Sequence, residues 1–190
     1  MNDAFIEKEV FERIDYSKTK LVQANYENCT FVGCIFANTD LSEMNFVECE
    51  FRACNFSLAN VVNATFRDVT FKDSKLLALH FEKSNRAMFS AEFENDDLSM
   101  CSFSKLPLKK TRFSHCVLRE TDFTGSDLRE SVFDQCDMAE ARFENTNLEK
   151  ADFRTSFNYA IDPELNRIRK AKFSMPGSSG LLKKYDIEIY

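Results

Sequence analysis

From Ala91 to Phe153 every fifth residue is large and apolar: Phe93, Leu98, Phe103, Leu108, Phe113, Leu118, Phe123, Leu128, Phe133, Met138, Phe143, Leu148 and Phe153. Two places before most of these sits a small residue, as at Ala91, Cys101, Thr111, Cys116, Thr121, Ser126, Ser131, Cys136, Ala141, Thr146 and Ala151. The remaining three of each five are mostly polar. A period of five fits neither a helix nor a strand, whose periods are about 3.6 and 2. It fits a square coil with five residues to a side, the large and small positions pointing inward and the rest facing water. Four sides make one coil, and coils stack at ~4.8 Å through backbone hydrogen bonds. The strict alternation of Phe with Leu or Met then puts Phe over Phe on two opposite sides, and Leu or Met over Leu on the other two.

The same beat occupies the first half of the chain, with centres from Leu21, Tyr26 and Phe31 through Leu76 and Phe81. It then slips. The next good small–large pair, Ala91 and Phe93, lies two residues later than a strict beat allows, so two extra residues sit within Glu82–Ser90. Met88 is the provisional centre there. The centres from Leu21 to Phe153 give nearly seven coils and a rod of roughly 30–35 Å. Residues 1–20, with Phe5, Ile6, Val10, Phe11 and Ile14, are expected to cap the first coil, because an open solenoid end must hide its rungs and its backbone edge.

All seven cysteines (Cys29, Cys34, Cys49, Cys54, Cys101, Cys116 and Cys136) fall on the small position. Chance places a residue there roughly one time in five in such a repeat. Free Cys behaves as a small buried hydrophobe, so inward packing accounts for all seven, and neither a metal nor a disulfide framework is expected. His115 beside Cys116 resembles a ligand pair, but one points outward and the other inward. Asp96–Asp97 and the acids that precede centres are expected to make local turn hydrogen bonds. No phosphate loop, nucleophile elbow or zinc-protease motif is present, so neither an enzyme nor a cofactor is expected. The net charge of −6 argues against direct contact with nucleic acid. No apolar run is long enough to span a bilayer, and the start lacks a signal-peptide layout. These features imply a cytoplasmic protein.

The fives TDFTG, SDLRE, ADFRT, NTDLS and TNLEK follow a small–Asp/Asn–Leu/Phe–polar–polar pattern. In this the stretch from about Leu21 to Phe153 resembles the pentapeptide repeat proteins. The resemblance implies an all-β fold, a right-handed quadrilateral β-helix, here spanning 21–158. The C-terminal run IDPELNRIRKAKF, followed by GLLKKYDIEI, resembles the tails of the Qnr quinolone-resistance proteins and of the microcin B17 immunity protein. In those relatives the tail carries an apolar helix that pairs two subunits end to end. On its own terms, Asp162–Pro163 signals a helix start. Pro176–Gly177 breaks the chain, Ser178 or Ser179 caps a short helix, and DIEIY alternates like a strand. The tail, 159–190, is thus expected to cap the last coil and to form a homodimer through Leu181, Leu182, Tyr185, Ile187 and Ile189, with fold-back onto its own chain as the alternative.

The resemblance also implies a type II topoisomerase, DNA gyrase or topoisomerase IV, as partner, and protection of that enzyme from quinolones or a peptide toxin. In that family an acidic rod is held to mimic duplex DNA or to touch the enzyme through loops. Two partner-binding regions follow. One is the slip, with Glu82, Lys83, Ser84, Asn85 and Arg86; its structural alternative is a phase correction. The other is the acids Asp122, Asp127, Glu130, Asp137 and Glu140, if they share a face. Basic residues intervene, and two copies at −6 fall far short of the ~40 charges on a matching length of duplex. A scaffold with an unrelated protein partner is the second functional class.

Overall fold

The structure is a computed structural model that describes residues 4–188. The chain winds as a parallel β-solenoid in which a residue pairs with the one 20 positions on, as Tyr26 does with Phe46 and Phe31 with Phe51. On the first side, strands β1 (Ala4–Glu7), β3 (Ala24–Glu27), β5 (Asn45–Val47) and β7 (Thr65–Arg67) form one sheet. On the second side, β2 (Val10–Glu12), β4 (Thr30–Val32), β6 (Glu50–Arg52), β8 (Val69–Lys72), β9 (Ala91–Glu94), β10 (Arg112–Ser114) and β11 (Val132–Asp134) form the other, in that spatial order. The third and fourth sides are joined by single-residue bridges, such as Ile35 to Asn55 and Asp40 to Asn60.

Five residues per side require a corner at each fifth. The residue there usually adopts a left-handed backbone, as at Asn28, Glu48, Lys110 and Glu130, with φ of 52°, 52°, 64° and 61°. That conformation is unfavourable for residues other than glycine. It persists because most corner N–H groups bond to the next rung; Asn28 donates to the Val47 carbonyl at 3.0 Å and Glu48 to that of Arg67 at 2.8 Å.

Inside, the centres stack in columns. Nine phenylalanines from Phe11 to Phe173 form an unbroken stack on the second side, with centroids 4.7–5.5 Å apart. On the fourth side Phe81, Phe103, Phe123 and Phe143 stack likewise. The two sides are opposite, so above Phe93 the Phe and Leu columns separate as the alternation predicts. Stacked pairs contribute about 0.5–1.5 kcal/mol each beyond area burial. All seven cysteines are buried and free, with thiols directed at rung carbonyls; Cys54 donates to the Phe31 carbonyl at 3.3 Å.

Below the slip the pattern is different. There the first and third sides are aromatic (Tyr26, Phe46, Phe66; Tyr16, Phe36, Phe56) and the fourth is aliphatic (Leu21, Leu41, Val61). The slip is where the aromatic column leaves the first side and appears on the fourth. Two 3-10 turns, Phe81–Lys83 and Arg86–Met88, carry the extra residues. Asn85 still donates to the Ala64 carbonyl, but the donor to the Phe66 carbonyl is Ser90. Phe89, not Met88, is the inward residue: it is buried against Phe66, Phe81 and Phe103, whereas Met88 is 43% exposed. No backbone hydrogen bond joins residues 84–90 to residues 104–110 among the described residues. Pro107, which has no N–H to donate, occupies that seam.

The ladder reaches beyond the expected limits at both ends. The segment expected to cap the first coil contributes β1 and β2, which pair with β3 and β4. At the other end the helix expected from Asp162–Pro163 is absent. Asp162 accepts the Glu164 N–H at 2.8 Å in a turn, and bridges from Asn147 to Arg167 and from Asp152 to Lys172 continue the coil. The chain then makes a 3-10 helix over Pro176–Leu181, and residues 186–188 are not in a strand.

Candidate partner-binding surfaces

Of the five residues expected to bind at the slip, the structure commits three to holding it. Ser84 is buried, and its hydroxyl donates to the Phe81 carbonyl at 2.6 Å. Asn85 is anchored to the rung below through its N–H and, at 3.4 Å, through its amide to the Thr65 hydroxyl. Glu82 is half-buried. One carboxylate oxygen lies 3.0 Å from His80 Nδ1, and the other is buried without a partner. Lys83 and Arg86 are exposed, and the Arg86 guanidinium donates to the Lys105 carbonyl on the far side of the seam. Sequence reasoning missed Ala87 and Met88, which are outward; a two-residue insertion does not reveal which of two adjacent apolar residues turns in.

The five acids do not share a side. Asp122 lies on the fourth side, Asp127 and Glu130 on the first, and Asp137 and Glu140 on the third. Each Asp accepts a local backbone N–H, that of Thr124 at 2.9 Å, Arg129 at 3.3 Å and Ala139 at 3.3 Å. These are the expected turn bonds. Asp127 also accepts from the Arg129 guanidinium, which holds its carboxyl below the ordinary range. For Asp137, burial pushes the pKa up, but the Asn158 amide at 2.8 Å and the Arg119 guanidinium at 2.7 Å outweigh it. Glu130 is 3.9 Å from Lys109, and Glu140 is exposed.

Asp96 departs from the turn role. It occupies the small position before Leu98 and points inward, only 1% exposed. Its oxygens accept the N–H groups of Ser74 at 2.7 Å and Glu94 at 3.1 Å. Burial outweighs these bonds and pushes its pKa up to about 8.

The tail lies over the last coil. Tyr159 is buried beneath it, and Gly180 accepts the Ile161 N–H at 3.1 Å. Close approach requires Gly180, where a Cβ would run into the Tyr159 backbone carbonyl oxygen; a Cβ on Gly177 would meet the Tyr159 hydroxyl and displace that side chain. Lys184 pairs with Asp162 at 2.8 Å and with Glu164 at 2.7 Å. Leu181 packs on the core, while Leu182, Tyr185 and Ile187 are 38%, 53% and 56% exposed. Ile189 lies outside the described residues. A cleft of 920 Å³ runs beside the tail, lined by Phe157, Tyr159, Leu182 and Ile187 among others. No helix among the described residues is long and apolar enough to cross a membrane.

A square parallel coil with inward large and small residues every five is the pentapeptide-repeat β-helix. The family model for the pentapeptide repeat region matches residues 24–90 and 86–160, and the chain belongs to that family. No curated protein matches the chain. Among solved structures it is similar to a trypsin-treated form of QnrB1, a plasmid-mediated fluoroquinolone resistance protein. That likeness has a TM-score of 0.57 and 17% identity, over 98% of this chain and 91% of that one. It is also similar to HetL, a pentapeptide repeat protein involved in heterocyst differentiation regulation in the cyanobacterium Nostoc sp. strain PCC 7120. Here the TM-score is again 0.57, at 13% identity over 91% of this chain and 87% of HetL.

Proposed function

We propose that this chain is a non-enzymatic, cytoplasmic protein-binding rod that engages a type II topoisomerase, DNA gyrase or topoisomerase IV, and protects it from quinolones or a peptide toxin. The observation that carries the reading is the tail. Its sequence resembles the tails of the Qnr and microcin-immunity proteins, and it leaves Leu182, Tyr185 and Ile187 exposed at one end of the rod. The fold shared with a fluoroquinolone resistance protein supports the reading. In this view the exposed apolar tail residues pair two copies end to end. Lys83 and Arg86 at the slip, with Glu140 among the acids, touch the enzyme, since these side chains are exposed.

A supercoiling assay with purified gyrase and ciprofloxacin tests the function. The expected result is restored supercoiling as protein is added; no effect on gyrase over a wide concentration range would overturn it. Light scattering tests the dimer. The full chain is expected at twice the monomer mass, and a chain ending at Phe173 is expected at the monomer mass.

A second reading is a scaffold for an unrelated protein partner. It is favoured by an equal structural likeness to HetL, and by the slip projecting only a few side chains rather than a long loop. Inactivity in the gyrase assay together with an intact dimer would select it.

A further inference from the structure

The first side changes sign at the slip. Below it, Glu7, Glu27, Glu48 and Asp68 outnumber Lys8 and Arg67. Above it, the outward flanks of Leu108, Leu128, Leu148 and Ile168 carry Lys109, Lys110, Arg129, Lys150, Arg169 and Lys170, bounded by Arg86 and Arg167. Only Asp127, Glu130 and Glu149 oppose these eight cations, so the strip holds +5 in a chain of −6. Two of those acids are already engaged, Asp127 by Arg129 at 2.5 Å and Glu130 by Lys109 at 3.9 Å. Lys110, Lys150, Arg167, Arg169 and Lys170 are exposed and make no ion pair among the described residues. On the adjoining corner Lys83 and Lys105 add two exposed cations at the lower end, and Glu144 and Glu164 two exposed acids towards the upper end, Glu164 being paired with Lys184.

We propose that this strip docks a short acidic polypeptide segment of a partner protein. The rungs at Pro107, Asp127, Asn147 and Arg167 are bridged in succession. With the slip beneath them they span ~20 Å at the strand spacing, which an extended chain covers in about six residues. A handful of carboxylates on such a segment matches the net charge. Duplex DNA over the same distance presents about twelve phosphates, well beyond +5. No loop or helix on this side enters a groove. No exposed aromatic side chain on the strip offers a stacking platform for single strands. The interleaved acids oppose a continuous row of phosphates but suit a peptide of mixed character, and exposed Met88 gives it an apolar contact at the lower end. Each exposed pair is individually weak, so binding rests on their number and falls with salt.

The test is fluorescence anisotropy of a labelled oligoglutamate peptide titrated with the full chain at low and physiological ionic strength. The parent is expected to bind at low salt. The double variants Lys109→Glu/Lys110→Glu and Arg169→Glu/Lys170→Glu are each expected to weaken binding roughly tenfold. Lys18→Glu/Lys20→Glu, an equal charge change elsewhere, is expected to leave it nearly unchanged. Circular dichroism checks folding, and Lys109→Gln/Lys110→Gln replaces the first variant if reversal perturbs the coil. No binding by the parent at low salt, an equal loss in the control, or tighter binding of a duplex oligonucleotide than of the peptide would each overturn the proposal.

Discussion

Replacing Asp96 by Asn is expected to stabilise the rod, and by more at pH 9 than at pH 4. Asp96 is the sole buried carboxylate on a small position among the described residues, between Ser74 and Cys116 in its column. Its folded pKa is pushed up to about 8 by burial, against two backbone donors that favour the ion. An unfolded Asp titrates near 3.9. Between those values the folded chain holds a proton that the unfolded chain has released, so stability falls as pH rises through the window. Above pH 8 the penalty is fully developed, at roughly 3–6 kcal/mol from about four pKa units. Asn keeps an acceptor for the Ser74 N–H and removes the charge. The coil already uses this device at Asn166, a small position on the first side. There the amide oxygen accepts the Thr146 N–H at 3.0 Å and the amide nitrogen donates to the Phe143 carbonyl at 2.6 Å. Urea unfolding of both proteins from pH 4 to pH 9 measures the difference. A gap that does not widen with pH would show that Asp96 ionises freely in the folded chain.

Asp96 also shows what the sequence made legible. Its place two residues before Leu98 marks it as inward, yet Asp is so common in turns that the local role is the natural expectation. The Phe and Leu columns were readable because hard packing admits only certain sizes at a fixed period, and that constraint acts on every coil alike. At the first coil the constraint relaxes. Its small positions carry Glu9 and Ile14 in place of Ala or Cys, since one end of the core is open, and the beat blurs. Asp162–Pro163 misleads for another reason. The Asp side chain that caps a helix also closes a turn, and the pairing of Arg167 with Asn147 decides between them. The cationic strip is less plain, because its residues lie 20 or 40 apart in the chain, as Lys109, Arg129 and Arg169 do, and come together only when the coils are stacked.

Phe89→Ala is expected to cost about 3–5 kcal/mol, and Met88→Ala less than about 1 kcal/mol. A sequence beat centred on Met88 predicts the reverse. Phe89 is 6% exposed, with its ring 5.5 Å from Phe81, 6.4 Å from Phe66 and 6.5 Å from Phe103. All three contacts are edge-on, so Phe89 fills the corner where the aromatic column moves from the first side to the fourth. Truncating it leaves a cavity bounded by three rings that are themselves fixed in stacks and have little room to collapse. Among the described residues the seam beside it has no backbone hydrogen bond to the rung above, so side-chain packing carries more of the joint between the halves there than elsewhere. The loss is therefore expected to appear first as local opening. Amide exchange in Phe89→Ala should speed up at Asn85 and Ser90, which bond to the rung below the seam, before it changes at β4 or β6. Equal losses for the two variants in urea, or exchange that rises uniformly along the rod, would place the inward residue and the weak joint elsewhere.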